Sequence, residues 1–327
     1  MTKGTVTVLG INGHIGKAAA EAFVAAGWRV AGMGRTDRHR LAGVRFVQGD
    51  ADSVEDMRRA IDDAEVIVNA LNLRYDLWFE GRLEAQMSRV LEAIGRSGRT
   101  MLFPGNIYNY AASDPLLTPE TPQRPQRERG KVRVRIEQMF RAAAEQGDLQ
   151  AIILRAGDFF GPGSSGDWFD QMILREAASG KVSLIGKRGV GHSWAYLPDL
   201  GRAFEALGSL RSTLKAFETF HFAGHYATPE LMGAAITMAA HGSLKLSAFP
   251  WFVLHGLGVF DPVLREVAKM GYIWRHPLEL RDDRLEALLG PGFATPFEEA
   301  VAATVAPFLA GRTAGKVQSA ALHPRIA

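Results

Sequence analysis

The sequence predicts an α/β protein, with a doubly wound parallel sheet followed by a smaller, mostly helical C-terminal lobe. Along the first half, short apolar β-branched segments alternate with amphipathic helical segments. A glycine-rich turn joins the first strand to the first helix. The chain has 327 residues, of which 47% are hydrophobic, enough to bury one large core or two unequal lobes. We therefore predict a nucleotide-binding domain over residues 1–158 and a substrate-binding lobe over 159–327, with some elements of the lobe returning to the sheet.

The first strand, turn and helix predict a dinucleotide site. Thr5 to Leu9 is the strand, and Gly10, Gly13 and Gly16 follow it with the spacing GxxGxxG. Gly10 permits the tight turn, Gly13 lets backbone N–H groups approach a pyrophosphate at the helix N-terminus, and Gly16 lets the helix pack closely on the sheet. Glycines also mark ordinary turns. The alanine-rich helix and the second apolar strand, Arg29 to Met33, favour the dinucleotide interpretation.

Arg35, at the end of the second strand, indicates which dinucleotide binds. An acidic residue there would hold the ribose 2′-OH of NAD, whereas an arginine suits the 2′-phosphate of NADP. Arg38 and Arg40 follow nearby. We therefore expect NADP(H) to be preferred over NAD(H). The alternative is that Arg35 is a solvated loop cation.

The rest of the first half continues the alternation, and the second half is richer in helices. Ser53 and Asp56 resemble a capping box that opens the second helix. Ligands of parallel sheets bind outside the carboxyl ends of the strands, so the residues just after each strand are candidates for the site. Further strands are predicted over 45–48, 65–70, 100–103, 150–155 and 217–222, and helices over 85–94, 130–146, 167–178, 200–209, 229–240, 251–270 and 296–310.

Composition excludes several kinds of site. The chain has no cysteine, which excludes disulfides, thiolate catalysis and cysteine-type zinc sites. No apolar run approaches the roughly 20 residues that span a bilayer, so we expect no membrane contact and a cytoplasmic location. The formal charge of +3 is too small to indicate nucleic-acid binding. No His, Asp or Glu cluster has metal-ligand spacing, so no metal is predicted.

Four motifs resemble those of one enzyme family: GINGHIG at 10–16, GDA at 49–51, LRAGDFFGPG at 154–163 and WAYLPDLGRA at 194–203. With them the chain resembles the extended short-chain dehydrogenase/reductase superfamily, the NAD(P)-dependent epimerase/dehydratase group, over most of its length. The third motif is similar to the family's Arg-x-x-x-x-Tyr-Gly-Pro segment, which closes over the nicotinamide. The resemblance implies a Rossmann-like sheet and a homodimer formed by the helices that flank strands four and five. The cofactor contacts expected from the glycine turn, Arg35 and the resemblance are Gly10, Asn12, Gly13, His14, Ile15, Arg35, Asp50, Ala51, Ala70, Leu71, Asn72, Pro104, Arg133, Gly157 and Phe159.

The chain departs from the family at its catalytic positions. Members normally carry a Ser or Thr after strand five and a Tyr-x-x-x-Lys pair in the next helix. Aligning RGKVRVRIE with the family's YGxSKxxAE pattern places Arg129 at the tyrosine and Arg133 at the lysine. Placing Tyr110 on the family's VYG tyrosine sets Asn106 at the Ser/Thr position. All three usual catalytic residues are therefore replaced in this alignment.

The replacements suggest an atypical active site. Arg133 can still donate to ribose hydroxyls, but an arginine is a poor proton donor. Asn106 can polarise a carbonyl oxygen through its amide N–H, or it can simply be turn chemistry beside Gly105. Tyr108 can supply the missing phenol, or it can be a packing residue. Arg129 joins these three as a catalytic candidate because of its aligned position.

The leading hypothesis is an NADP(H)-dependent oxidoreductase that acts on a carbonyl or secondary alcohol of a small, partly apolar molecule. The alternatives are a sugar-nucleotide epimerase or dehydratase, and a catalytically impaired NADP(H)-binding sensor or regulatory protein. Aromatic residues concentrate in the second half, and ligand pockets are mostly apolar with few polar anchors. The expected substrate contacts are Tyr75, Tyr108, Trp168, His192, Trp194 and Tyr272.

Overall fold

A seven-stranded parallel sheet forms the centre of the molecule. The computed structural model describes residues 3–163, 167–242, 244–257 and 259–321. All neighbouring strands of this sheet run parallel. Their spatial order is β11 (Phe217–Phe222), β7 (Gln150–Ala156), β5 (Thr100–Gly105), β4 (Val66–Asn69), β1 (Thr5–Leu9), β2 (Arg29–Gly34) and β3 (Val44–Gln48).

Helices cover both faces of the sheet, so the predicted doubly wound architecture is confirmed. On one face α1 (His14–Ala25) and α5 (Leu197–Leu210) pack against each other and against the sheet. Gly201 makes this contact close, because a Cβ there would lie 2.3 Å from the Ala18 carbonyl oxygen. The opposite face carries α2 (Val54–Ile61), α3 (Arg82–Ile94) and α4 (Glu128–Glu145).

The start of α2 has the cap that the sequence predicted. Ser53 Oγ accepts a hydrogen bond of 3.1 Å from the Asp56 backbone N–H. The Asp56 carboxylate accepts in turn from the Asp50 backbone N–H at 2.9 Å, rather than from Ser53. The cap therefore also fixes the segment that follows β3.

The second half adds a lobe with its own hydrophobic core and three small sheets. The sheets pair β8 (Asp158–Phe160) and β12 (His225–Ala227) with β10 (His192–Tyr196), β9 (Lys181–Leu184) with β13 (Lys245–Ala248), and β6 (Leu116–Leu117) with β14 (Glu279–Leu280). The helices are α6 (Pro229–Ala239), α7 (Trp251–Leu257), α8 (Pro262–Ala268), α9 (Asp283–Leu289) and α10 (Phe297–Ala321). No helix within the described ranges is long and apolar enough to cross a membrane.

The predictions of one continuous helix over 167–178 and of another over 251–270 are wrong. The segment 167–178 forms a π-helical turn, Phe169–Ile173, and a separate 3₁₀ turn, Ala177–Ser179. The wider turn lets Phe169 and Ile173 pack in the lobe core while Trp168 faces a cavity. The segment 251–270 divides into α7 and α8, and Pro262 is the first residue of α8, where its missing N–H interrupts no helical hydrogen bond.

Candidate active site

A cavity of about 460 Å³ opens at the carboxyl edge of the main sheet. This is the edge at which parallel sheets bind ligands. Its walls come from the segments after β1, β4, β5 and β7, and from residues 167–172 and Val267 of the second half. Ten of the expected cofactor contacts line it, namely Gly13, His14, Ile15, Ala70, Leu71, Asn72, Pro104, Arg133, Gly157 and Phe159.

The glycine turn fits the pyrophosphate of a dinucleotide. Gly10 has a φ of 86°, and a Cβ there would lie 2.9 Å from the Ala70 carbonyl oxygen. A Cβ at Gly16 would lie 2.3 Å from the Gly10 carbonyl oxygen. Gly13 precedes α1, so no side chain at this position covers the first backbone N–H groups of the helix. A helix N-terminus approached by bare backbone is a ready anion site.

The residues expected at the adenosine end lie along the same edge, outside the cavity wall. Asn12 Nδ2 donates to the Thr36 carbonyl oxygen at 2.7 Å, which holds the loop after β2 beside the glycine turn. Arg35 is exposed in that loop. Asp50 is also exposed, and its Oδ1 accepts from the Asp52 backbone N–H at 3.0 Å. The expected contacts outside the wall are Gly10, Asn12, Arg35, Asp50 and Ala51.

Two tyrosine hydroxyls meet inside the cavity. Asn106 Oδ1 accepts from the Tyr108 backbone N–H at 3.0 Å and caps a short 3₁₀ turn, Ile107–Asn109, which leaves the Asn106 amide nitrogen to donate. The Tyr108 hydroxyl lies 3.3 Å from the Tyr75 hydroxyl. Burial raises the pKa of Tyr75, and it raises that of Tyr108 well above the ordinary 10.0. Both phenols therefore keep their protons near neutral pH and serve as hydrogen-bond donors.

Arg133 is a fixed cation beneath this loop. Its Nη2 donates to the Pro104 carbonyl oxygen at 2.6 Å, and its guanidinium lies 4.8 Å from the centre of the Phe103 ring. Burial lowers the pKa of Arg133 from 12.5 to about 10, so it remains charged at neutral pH. Its Nε is buried and has no hydrogen-bond partner among the described residues, which leaves a donor for a ligand hydroxyl.

Arg129 lies behind the cavity wall. Its Nη1 donates to the Tyr75 carbonyl oxygen at 3.0 Å, and its guanidinium stacks 4.6 Å from the centre of the Tyr75 ring. Its Nη2 forms a 3.1 Å ion pair with Glu266 of α8. Arg129 thus connects α4, Tyr75 and α8, and it does not line the cavity.

Close packing and a buried ion pair fix the loop that carries Asn106 and Tyr108. A Cβ on Gly130 would lie 2.0 Å from the Tyr108 carbonyl oxygen, so α4 approaches this loop through a bare backbone. Arg155 Nη1 donates to the Asn106 carbonyl oxygen, and its Nη2 forms a 2.9 Å ion pair with Glu137 of α4. The loop is therefore anchored from both α4 and β7.

Two carboxyls that were not among the predicted site residues also line the cavity. Asp158 Oδ2 lies 3.8 Å from His192 Nδ1, and Asp167 Oδ2 lies 2.7 Å from His14 Nδ1. Burial raises the pKa of Asp158 and of Asp167, and the neighbouring histidine opposes the rise in each case. The position of Asp158 two residues after the end of β7 was the available signal, because strand ends carry the ligand contacts.

The expected substrate contacts fall into three groups. Tyr75, Tyr108 and Trp168 line the cavity together. His192 and Trp194 line a separate cavity of about 10 Å³ in the lobe core. Tyr272 lies under the Arg127 guanidinium, 5.3 Å from ring centre to Cζ, and lines neither cavity. Within the described ranges, no three His, Asp or Glu side chains lie close enough together to hold a metal ion.

The sequence matches the model of the NAD dependent epimerase/dehydratase family over residues 6–220. The chain belongs to this family. The resemblance found in the sequence motifs is thereby confirmed, while the alignment that places Arg129 and Arg133 at the Tyr and Lys positions stays a prediction. No curated protein sequence matches the chain significantly.

Solved structures with the same fold include epimerases. A putative epimerase from Burkholderia cenocepacia J2315 is 19% identical, with 94% of this chain and 99% of that chain covered and a TM-score of 0.73. MoeE5 in complex with UDP-glucose and NAD is 17% identical, with 96% and 100% covered and a TM-score of 0.71. A UDP-glucuronic acid 4-epimerase from Bacillus cereus is 12% identical, with 93% and 98% covered and a TM-score of 0.72. At these identities the likeness concerns the fold.

Proposed function

We propose that this family member is an NADP(H)-dependent oxidoreductase acting on a carbonyl or secondary alcohol of a small, partly apolar molecule. The observation that carries the proposal is the continuity of one cavity from the glycine turn to the tyrosine hydroxyls. Gly13 and Tyr108 line the same space of about 460 Å³. Aromatic walls from Trp78, Phe159 and Trp168 suit an apolar substrate.

The residues have separate roles in this proposal. A bound nicotinamide dinucleotide supplies or accepts the hydride. The backbone around Gly13 binds its pyrophosphate, and Arg133 donates to ribose hydroxyls through its unpartnered Nε. The Asn106 amide and the Tyr108 hydroxyl donate hydrogen bonds to the substrate oxygen. Two donors directed at one oxygen stabilise the negative charge that develops there during reduction.

The preference for NADP(H) rests on the loop after β2. Arg35 is exposed at the end of that strand, and the Asn12 hydrogen bond to Thr36 keeps the loop beside the glycine turn. Asp37 is the nearby acid, but its Oδ1 accepts from the Arg40 backbone N–H at 3.0 Å. Arginine is thus the side chain available to a 2′-phosphate. The same proposal includes a cytoplasmic location and a homodimer formed through α3 and α4.

Sugar-nucleotide epimerisation or dehydration is the second candidate. Family membership favours it, and the MoeE5 and Bacillus cereus structures contain UDP-sugar ligands and NAD. Arg74 lines the cavity and is exposed, but it already forms two hydrogen bonds to the Asp76 carboxylate, so an anionic group of such a substrate would compete with Asp76 for it. An epimerase returns the hydride to the same substrate molecule, so it consumes no dinucleotide, whereas a reductase consumes one for each turnover.

The first test is a titration with NADPH and NADH, followed by nicotinamide fluorescence. We expect NADPH to bind more tightly. Arg35→Ser should weaken NADPH binding by about 10- to 100-fold, the effect of removing one charge-assisted hydrogen bond, and leave NADH unchanged. Arg96→Ser is the matched control, because Arg96 is exposed and pairs with Asp148 away from the cavity. Equal binding of both dinucleotides would contradict the assigned preference.

The second test measures NADPH consumption with a panel of aromatic and aliphatic aldehydes and ketones. Asn106→Ala and Tyr108→Phe should each lower the turnover number by about 10- to 1,000-fold, because each removes one donor to the developing oxyanion. Conversion of UDP-sugars without consumption of dinucleotide would favour the second candidate. Tight NADPH binding with no turnover of either substrate class would favour the sensor alternative.

A further inference from the structure

Reduction of a carbonyl needs a proton as well as a hydride, and the cavity tyrosines are poor sources of it. A group that gives and regains a proton efficiently has a pKa near the working pH. Burial places the pKa of Tyr108 well above 10.0, and that of Tyr75 is also raised. Arg133, with a pKa of about 10, also stays protonated near neutral pH. Another titratable group must therefore serve this step of the proposed function.

Asp158 presents a rigidly held carboxyl at the cavity wall. Its side chain is 11% exposed, and its Oδ2 is buried and accepts no hydrogen bond from the described residues. β8 pairs with β10 in parallel, with Asp158 opposite Trp194. The preceding Gly157 packs so tightly on β10 that a Cβ would lie 2.0 Å from the Ser193 carbonyl oxygen. The backbone thus fixes where the carboxyl points.

His192 stands behind this carboxyl, away from the cavity. Its ring stacks on Trp274 with centroids 4.4 Å apart, and its side chain is 2% exposed. Nε2 lies 3.1 Å from the His276 carbonyl oxygen, which can only accept, so we assign the ring hydrogen to Nε2. Nδ1 faces the carboxyl and lies 3.8 Å from Asp158 Oδ2.

The surroundings of the Asp158 carboxyl raise its pKa. Burial raises the pKa of Asp158 above its ordinary 3.8, and His192 opposes part of that rise. A buried carboxyl that titrates nearer neutrality is suited to acid–base catalysis. The other ionisable groups that line the cavity with it are His14, Arg74, Tyr75, Tyr108, Arg133 and Asp167.

We infer that Asp158 is the proton donor and acceptor of the cavity, and that His192 is a positioning residue that orients and tunes it. In reduction, the hydride forms the new C–H bond, the carbonyl π bond breaks, and the Asp158 O–H proton moves to the carbonyl oxygen. The product is the alcohol, and the Asp158 carboxylate regains its proton from water. In oxidation, Asp158 accepts the hydroxyl proton. This role depends on the proposed function.

A titration of the protein without ligands tests the carboxyl itself. In ¹³C NMR of aspartate-labelled protein, the carboxyl signal that is missing from Asp158→Asn should titrate above the ordinary range in the wild type. His192→Gln should move that titration to higher pH, because His192 lowers the pKa of Asp158. Asp63→Asn is the matched control, since Asp63 is exposed and pairs with Arg45. An Asp158 signal that titrates at or below its ordinary pKa would overturn the inference.

The rate measurements test the proton transfer. Asp158→Asn should lower the turnover number by about 100-fold or more, with NADPH affinity within about threefold of wild type. The wild-type reduction rate should fall as Asp158 deprotonates, and His192→Gln should shift this fall to higher pH. The substrate is the aldehyde or ketone that turns over fastest in the panel. Undiminished turnover in Asp158→Asn, or a rate that falls only in the tyrosine range above about pH 10, would refute the role.

Failure of the inference and failure of the proposed function give different results. If the wild type binds neither dinucleotide, the proposed function is wrong and the redox role of Asp158 is wrong with it. If the wild type binds NADPH and reduces a carbonyl while Asp158→Asn does so equally well, only the inference is wrong. If Asp158→Asn does not fold, the pH dependence of the wild-type reduction rate still tests the role of Asp158.

Discussion

Glu137→Gln removes one charge of the buried ion pair that anchors the candidate active site. Arg155 is fully buried, and Glu137 Oε2 also accepts from Gln123 Nε2 at 2.9 Å. Substituting glutamine leaves the Arg155 charge buried without its counterion, which destabilises proteins by about 3–5 kcal/mol. The unfolding entropy is about 2.1 cal/mol/K per residue, or about 0.7 kcal/mol/K for 327 residues. We therefore expect the Tm to fall by about 4–7 °C.

Scanning calorimetry or thermal circular dichroism measures this change. The matched control is Glu80→Gln, which breaks the exposed Glu80–Arg82 pair and should shift the Tm by about 1 °C or less. The double variant Arg155→Met with Glu137→Met should recover most of the Tm, because an apolar pair carries no desolvation penalty. The turnover number of this double variant should be lower than that of the wild type, because the Arg155 hydrogen bond to Asn106 is lost. A Tm for Glu137→Gln within the range of the control would refute this reasoning.

Three other outcomes follow from the same contacts. Gly130→Ala should push the Tyr108 loop away from α4, since the added Cβ would lie 2.0 Å from the Tyr108 carbonyl oxygen. We expect the free energy of unfolding, measured in denaturant melts, to fall by about 1–3 kcal/mol. The turnover number should fall by up to about 100-fold. Tyr75→Phe should leave the Tm nearly unchanged but alter the KM of carbonyl substrates, because it removes the hydroxyl that lies 3.3 Å from the Tyr108 hydroxyl. An unchanged KM would argue against that contact. Burial lowers the pKa of His221 from 6.5 to about 3, so unfolding takes up a proton between these values and the Tm should fall as the pH decreases through that window. His221→Gln should flatten this dependence, and equal slopes in both proteins would contradict it.

Local steric requirements made the cofactor side of the fold predictable. Gly10 adopts a φ of 86°, and a side chain at Gly16 would meet the Gly10 carbonyl oxygen within the same turn. Such short-range geometry leaves a readable spacing. The Ser53 cap of α2 was predictable for the same reason. The sheet followed from the alternation of apolar segments. These features depend on residues close together in the chain.

The candidate catalytic groups depend on contacts between distant segments, which the sequence does not display. Asp158 meets His192 because β8 pairs with β10, and no periodicity records that register. Arg129 was placed at a catalytic position by alignment, yet its guanidinium is held behind Tyr75 by Glu266 from α8. Tertiary packing likewise replaced the helix predicted over 167–178 with a π-helical turn.

The close packing of α5 on α1 affects how the chain folds during synthesis. Gly201 rests against the Ala18 backbone, and β11 completes the edge of the sheet beside β7. The first 158 residues lack both α5 and β11, so a chain cut there leaves the apolar face of α1 uncovered and β7 as an open edge. The ribosome must therefore release more than 222 residues before the nucleotide-binding sheet can close. Expression of the first segment alone should yield aggregates, while a chain extended past β11 and α9 should remain dispersed.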